Sequence, residues 1–437
     1  MKARLLVLLL ATVCAPLGWA QSTALANMAD VKTLQVDRRL SEEGKACIDC
    51  HRMTTPGPVA DWKQSRHAHA GVSCIDCHRV PADSPMATQH ETLVGSDVYV
   101  SPLVSPNVCG RCHTDAVEQF NNSGHFRAYR QIIPKDSLHA LVQIHEGRDH
   151  PDLRDAPGET GCMQCHGTEI KLDANNLPTP ETWPNNGMGN IYPDGGTGSC
   201  NACHSRHKFD IAEARKPDAC ASCHLGPDHP NIEIFNNSKH GHLYNTSGDD
   251  WRWDTAPDAW EPGDYRGPTC ATCHMSGIGE LSVTHNISER LYWNLWAKDS
   301  QVRGSTDVLS PLLGDGPAGR EKMKMVCNNC HSSRHTDGFF AQGDKAVRLY
   351  NEAYYAPATE MLNELRDKGL LKENPWTDEF QIVYYHLWHH QGRRARQGAM
   401  MGAPDYAHWH GFFELQQDLY KLEQIHAKRL ETGEIEE

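Results

Sequence analysis

Apolar and polar positions follow two different patterns along this chain. From Leu40 to about Asp210 no apolar period is sustained. Pro56, Pro58, Pro106, Pro151, Pro178, Pro180 and Pro184, with a glycine-rich stretch from Gly187 to Gly198, interrupt every run. Such punctuation predicts short helices joined by long loops. After His331 the pattern changes to long helical periodicity. A first segment covers roughly Lys345 to Leu371, with Leu362 and Leu365 at helical spacing. A second runs from Asp378 to Met400 behind Pro375 and Thr377, and a third from Tyr406 to about Thr432. Pro357 should kink or split the first of them. Residues 341–437 are therefore expected to form a bundle of long helices that packs on the preceding region, 21–340, and supports oligomerisation.

Cysteine content changes the picture of the first region. Of 17 cysteines in 437 residues, 16 fall in eight copies of Cys-x-x-Cys-His, leaving Cys14 outside. The pairs are Cys47 and Cys50, Cys74 and Cys77, Cys109 and Cys112, Cys162 and Cys165, Cys200 and Cys203, Cys220 and Cys223, Cys270 and Cys273, and Cys327 and Cys330. Each is followed by its own histidine: His51, His78, His113, His166, His204, His224, His274 and His331. Two thiols three positions apart reach the two vinyl carbons on one edge of a porphyrin, and the adjacent histidine falls beneath the iron as proximal ligand. Zinc pairs and redox disulfides also use Cys-x-x-Cys, but neither needs a histidine directly after every second cysteine. Eight covalently bound haems c are expected.

The 20 N-terminal residues look like an export signal. Lys2 and Arg4 precede an apolar run from Leu5 to Val13, and Gly18-Trp19-Ala20 offers small residues where a signal peptidase reads, so cleavage is expected near Ala20. The run is shorter than the roughly 18 residues that span a bilayer. No later segment is long and apolar enough to cross one. Haem attachment of this kind takes place outside the cytoplasm, so a periplasmic protein with no transmembrane segment in its mature chain is expected. Without residues 1–20 the 42 basic side chains become 40 against 56 acidic ones, a net of −16, which speaks against nucleic-acid binding. The remaining 417 residues leave about 52 for each of eight haems, and 39% hydrophobic residues cannot wrap each in a separate apolar shell. The macrocycles must then form much of the core themselves and touch one another, as electron transfer also requires.

Eight of the 27 histidines are proximal, which leaves 19 for the other faces of the irons. Most irons in such a protein are bis-histidine, six-coordinate carriers that bind no substrate. The candidates for distal ligands stand in apolar or small-residue contexts: His67, His125, His240, His285, and His389 or His390 in the second long helix, with His390 taken for the metal set. His229 and His426 read best as surface or supporting histidines. An enzyme would keep one iron open, with side chains nearby to move protons.

Several longer stretches resemble the octahaem hydroxylamine oxidoreductase family. They are Pro268-Thr-Cys-Ala-Thr-Cys-His-Met275, Ser238-Lys-His-Gly241, Ala214-Arg-Lys-Pro217, His389-His-Gln-Gly-Arg-Arg-Ala-Arg396 and Asp405-Tyr-Ala-His-Trp-His-Gly411. The number and order of haem motifs agree too, and the resemblance covers nearly all of the mature chain. It implies a mainly α fold: a multihaem cytochrome c fold of short helices and long loops around eight packed haems, then a C-terminal bundle of long helices.

The resemblance also implies a reaction. The fourth haem, above His166, would be five-coordinate and catalytic. A tyrosine from the neighbouring subunit of a homotrimer would be bonded to its macrocycle in the oxidative members, and Tyr406 matches that position. Hydroxylamine would be oxidised to nitric oxide or nitrite, with a distal histidine taking up protons. His207 is the match by position. The family commonly sets an acidic residue beside that histidine, whereas His207 has Arg206, a departure that weighs against a purely oxidative role. A reductive member taking nitrite or hydroxylamine to ammonia, a hydrazine oxidase, and an electron conduit with every iron capped are the alternatives. The implied partner is a cytochrome c-type electron acceptor, drawn by a positive face to this acidic chain.

Overall fold

A computed structural model describes residues 40–90, 96–131, 161–304 and 314–435. The expected signal sequence, Cys14 and Pro151 lie outside the described residues. The fold is mostly helical. Its one named sheet among the described residues pairs Arg79–Val80 with Tyr99–Val100 in antiparallel register.

Several haem motifs form a single turn of helix, as in Cys74–His78, Cys162–His166 and Cys270–His274. One turn sets the two cysteines at i and i+3 on one side, with the histidine directly after. The residues just before the motifs fix where these turns start. Thr269 Oγ1 accepts from Thr272 N while Thr269 N donates to Thr272 Oγ1 at 3.0 Å. In the second motif Ser73 N and Ser73 Oγ both donate to Asp76 Oδ2, at 2.7 and 2.9 Å. Each device satisfies helix-end amides that a one-turn helix cannot satisfy itself.

The side-chain cores of this region are small. One gathers Met86, Leu103, Ile170 and Tyr192, another Trp251, Trp253, Trp260 and Tyr265. Between them runs a continuous cavity of 2560 Å³. Its walls include cysteine or histidine residues of the first, second, third, fifth, sixth, seventh and eighth motifs.

The C-terminal helices are built conventionally. Helix Gly316–Asn328 carries the first cysteine of the eighth motif, and Ser333–Tyr350 runs without a break through position 340. The chain continues through a π-helical turn, Asn351–Tyr355, into Ala356–Asp367. Pro357, expected to kink or split this segment, sits in the first turn of the last piece, where the widened π turn accommodates a residue without an amide hydrogen. The second segment is Glu379–His386, a π turn Leu387–Gln391, and Gly392–Met400. The third is Pro404–Ala407, a π turn His408–Phe412, and Phe413–Thr432, closed by Gly433 at φ 71°.

Tyr350, Leu365, Phe380, Leu387, Leu415 and Leu422 are fully buried between these helices. The second and third segments cross so closely that a Cβ on Gly411 would stand 2.5 Å from Ala395 Cα, so only glycine fits. A buried ion pair closes the bundle. Arg429 Nη2 donates to Asp378 Oδ1 at 3.0 Å and Nη1 to Asp378 Oδ2 at 3.1 Å, and Asp378 Oδ1 also accepts from Phe380 N at 2.9 Å. Satisfying both charges in this way is what makes their burial tolerable.

Candidate haem centres and the pocket beside His166

Six motif histidines face a second imidazole across a gap of constant width. Ring-centre separations are 6.0 Å for His51 and His90, 6.3 Å for His78 and His207, and 6.1 Å for His113 and His67. They are 6.5 Å for His204 and His285, 6.1 Å for His224 and His125, and 6.2 Å for His331 and His240. Two metal–nitrogen bonds of roughly 2 Å, plus about 1.1 Å from each nitrogen to its ring centre, give about 6.2 Å. The gaps are therefore the size of one metal ion held between two imidazoles. Together with the cavity beside the motif cysteines, they fit haem iron at six centres. Haem supplies the redox change; the chain supplies the ligands and their orientation.

Hydrogen bonds to Nδ1 turn Nε2 of several proximal rings toward the gap. His78 Nδ1 lies 2.8 Å from Ser101 O, His166 Nδ1 3.2 Å from Ala128 O, His224 Nδ1 3.2 Å from Asn231 Oδ1 and His51 Nδ1 2.7 Å from Thr55 Oγ1. Burial pushes His125 down to about 3 and His204 and His274 down to about 4, so these rings are neutral, the form that binds metal.

The motif sulfurs show which centres are neighbours. Cys109 meets Cys200, Cys165 meets Cys223, and Cys220 meets Cys270 within hydrogen-bonding reach. Cys47 adjoins Cys74, Cys77 adjoins Cys109, Cys203 adjoins Cys220, and Cys273 adjoins Cys327. The motifs thus follow one another in space as first, second, third, fifth, sixth, seventh, eighth, with the fourth joined to the sixth.

The histidines expected as distal ligands fall into two groups. His67, His125, His240 and His285 each face a motif histidine. His390 instead stacks on His386 at 5.0 Å and meets Tyr385 at 5.3 Å and His389 at 5.3 Å, within the helical region. His207, expected as a proton acceptor above the fourth haem, stands opposite His78 of the second motif. Its neighbour Arg206 is held on the surface by Asn186 Oδ1 at 2.7 Å and by the Trp183 ring. His90 had no apolar context to single it out and was missed.

Among the charged or titratable neighbours of His166 are His229 and Asp228, adjacent residues in the loop after the sixth motif. His229 Nδ1 lies 2.6 Å from Leu225 O, so it donates there, and Nε2 lies 3.6 Å from Asp228 Oδ2. His229 is also 6.4 Å from His224, but with both nitrogens so directed it leaves His125 to face the sixth centre. The helical region closes on this loop: Arg393 Nη1 lies 3.9 Å and His389 Nε2 4.0 Å from Asp228 Oδ2. His229 had been read as a surface or supporting histidine. An acidic residue directly before a histidine, Asp228-His229, was the signal that could have found it. His426, read the same way, pairs with Glu364 at 3.0 Å on the helical region.

Tyr406 opens the third helical segment. Its ring packs on His410 at 5.0 Å, and burial pushes its hydroxyl up to about 12. Downstream, Trp409 is 60%, Phe413 49% and Tyr420 58% exposed, an aromatic stripe on the same helix.

Comparison with known proteins gives a consistent picture. A family model described as seven times multi-haem cytochrome CxxCH matches residues 194–376, and one for cytochrome c554 and c-prime matches residues 19–79 and 108–205. A probable nitrite reductase-hydroxylamine oxidoreductase fusion protein of Kuenenia stuttgartiensis is 29% identical over 329 residues, 66% of this chain and 34% of that protein. The chain thus spans about a third of the length of the curated relative it matches. A solved structure titled hypothetical multiheme protein is similar with a TM-score of 0.76 at 23% identity, covering 93% of this chain and 98% of the other. A reducing HAO-like protein complex of Kuenenia stuttgartiensis is similar with a TM-score of 0.64 at 20% identity, covering 90% and 86%. Both structures share the fold. Among the described residues no helix is long and apolar enough to cross a membrane.

Proposed function

We propose that the chain is a multihaem c-type cytochrome of the hydroxylamine oxidoreductase-like family that carries eight haems c and converts hydroxylamine at the fourth, beside His166. The observation that carries this reading is the Asp228–His229 pair. Beside His166 stand the Asp228 carboxylate and His229, whose Nδ1 donates to Leu225 O and whose Nε2 lies 3.6 Å from Asp228 Oδ2. That pair can move protons, which an electron-carrying site does not need.

The bound haem would exchange electrons with the substrate nitrogen. The chain's own residues do the rest. His166 would hold the iron, its ring oriented by Ala128 O. His229 Nε2 takes up or gives a proton, and the Asp228 carboxylate stabilises the imidazolium that results. Cys165, meeting Cys223, sets the fourth motif beside the sixth. His207 would hold the second haem together with His78, and His67, His90, His125, His240 and His285 would do the same at the third, first, sixth, eighth and fifth.

Oxidation to nitric oxide or nitrite is the first direction, and it calls for the Tyr406 link from a neighbouring subunit. The exposed stripe of Trp409, Phe413 and Tyr420 beside Tyr406 suits the subunit contact of a homotrimer. The second direction is reduction of hydroxylamine or nitrite to ammonia. The names of two relatives, a nitrite reductase fusion and a reducing HAO-like complex, favour it. Export to the periplasm and exchange of electrons with a cytochrome c-type partner bearing a positive face complete the proposal. Partner binding should weaken as salt rises.

The optical spectrum of the dithionite-reduced protein, compared between wild type and Tyr406→Phe, tests the direction. An extra red-shifted band that the variant loses supports hydroxylamine or hydrazine oxidation. Ordinary c-type bands alone, with hydroxylamine consumed only under a reductant, support the reductive direction. Absence of any high-spin haem would overturn the enzymatic reading and leave an electron conduit.

A further inference from the structure

The C-terminal region was expected to scaffold and oligomerise. Its second segment, however, sends two buried side chains toward the Asp228–His229 loop. His389 is 3% and Arg393 8% exposed, and they lie four residues apart across the π-helical turn Leu387–Gln391. A π turn inside a long helix realigns the residues that follow it.

Arg393 is fixed on all sides. Its Nε and Nη2 donate to Trp296 O at 3.0 and 2.8 Å, its Nη1 donates to Asp228 O at 3.4 Å, and its guanidinium lies 5.4 Å from the ring centres of both Trp296 and Trp388. Nη1 also stands 3.2 Å from His389 Nε2. A guanidinium only donates, so His389 Nε2 must accept there, which puts the ring proton on Nδ1. With its lone pair used in this way, His389 Nε2 cannot donate to Asp228 Oδ2 at 4.0 Å. The cation that answers the Asp228 carboxylate from the helical region is Arg393, at 3.9 Å. Nearly all of its donors are engaged within the protein, so it is built to hold its neighbours still and not to clamp a substrate anion.

We propose that Arg393, with His389 held in one tautomer beside it, is a positioning residue of the fourth-haem pocket that aims the Asp228 carboxylate at His229. This inference rests on the reading of that pocket as the open site. It makes the helical region part of the site: the loop supplies the acid–histidine pair, and the bundle supplies the charge that orients it. Arg393→Lys keeps the charge but loses the planar fork that holds Trp296 O and Asp228 together, so it should restore only part of the function.

The test uses cyanide binding to the oxidised holoprotein, followed optically. Hydrogen cyanide must give its proton to a pocket base as it binds, so its association rate reports the Asp228–His229 pair without turnover. In Arg393→Gln the association rate should fall about tenfold, and hydroxylamine kcat should fall with it while KM stays within about twofold. Arg393→Lys should lie between Arg393→Gln and wild type. Lys421→Gln, on the third helical segment and paired with Glu379 at 2.6 Å, should match wild type, with haem content and unfolding temperature checked for every variant. Wild-type binding with an unchanged rate in Arg393→Gln overturns the positioning role alone. A wild-type protein that binds no cyanide overturns the open-site reading on which it rests.

Discussion

Leu365 in the C-terminal region is fully buried by protein, whereas Cys273 in the haem-binding region is only partly covered by it. Leu365 packs among Phe380, Leu387, Leu415 and Leu422, a core the chain makes for itself. Cys273 lines the 2560 Å³ cavity together with His274, Arg290 and Met275. Haem has to supply the packing there. The difference teaches that one chain can use two sources of cohesion, its own side chains from Tyr350 onward and covalently held cofactors in the region that ends with the eighth motif at His331. Interiors pack densely wherever they are stable, so a cavity of this size has to be filled.

The strongest way to break that comparison is to withhold the cofactor. A chain made without haem attachment should lose the region up to His331 to limited proteolysis, while fragments covering 350–435 survive longest. A compact, protease-resistant apoprotein across the first region would show that the haems are not its core. Next in size is Arg429→Ala, which strands the buried Asp378 carboxylate. It should cost about 3–5 kcal/mol of bundle stability in denaturant titrations read by helical circular dichroism, with the haem bands of the native protein unmoved.

His67→Ala tests the opposite side. One haem, the third, should change from low-spin to high-spin in its optical and magnetic spectra, while the bundle's unfolding midpoint stays in place. The smallest effect concerns Asp418. Burial, with Glu414 adding to it and Lys421 and Arg394 partly offsetting, pushes its carboxyl up to about 7. The folded protein therefore holds a proton that the unfolded chain releases near pH 4, and stability should fall as pH rises from about 4 through 7. Asp418→Asn should flatten that slope, by an amount on the order of 1 kcal/mol at pH 7, since the site is only partly shielded from solvent.

Much of the site was legible before any coordinates. The eight Cys-x-x-Cys-His runs need only sequence neighbours to declare themselves, because both thioethers and the proximal histidine lie within five residues. Four histidines expected as distal ligands from their apolar or small-residue contexts, His67, His125, His240 and His285, each face a motif histidine. His207, expected above the fourth haem, stands opposite His78, and His90, not singled out, stands opposite His51; each is defined by what lies opposite it in space, 129 and 39 residues away along the chain. His390, expected as a ligand from its place in a histidine pair on a long helix, stacks on His386 and meets Tyr385 edge-on in the π turn.

What the sequence by itself determined, then, is local: the eight Cys-x-x-Cys-His runs of a multihaem c-type cytochrome, the change from broken to periodic patterning after His331, and the long helices that follow. Only the tertiary structure decided which histidine faces which motif, that the fourth motif joins the sixth, and that Asp228, His229, His389 and Arg393 meet beside His166. The physical reason is the range of the interactions. A thioether link and a helix turn are set by residues a few positions apart, whereas an iron-sized gap and a buried charge cluster exist only once distant segments have packed.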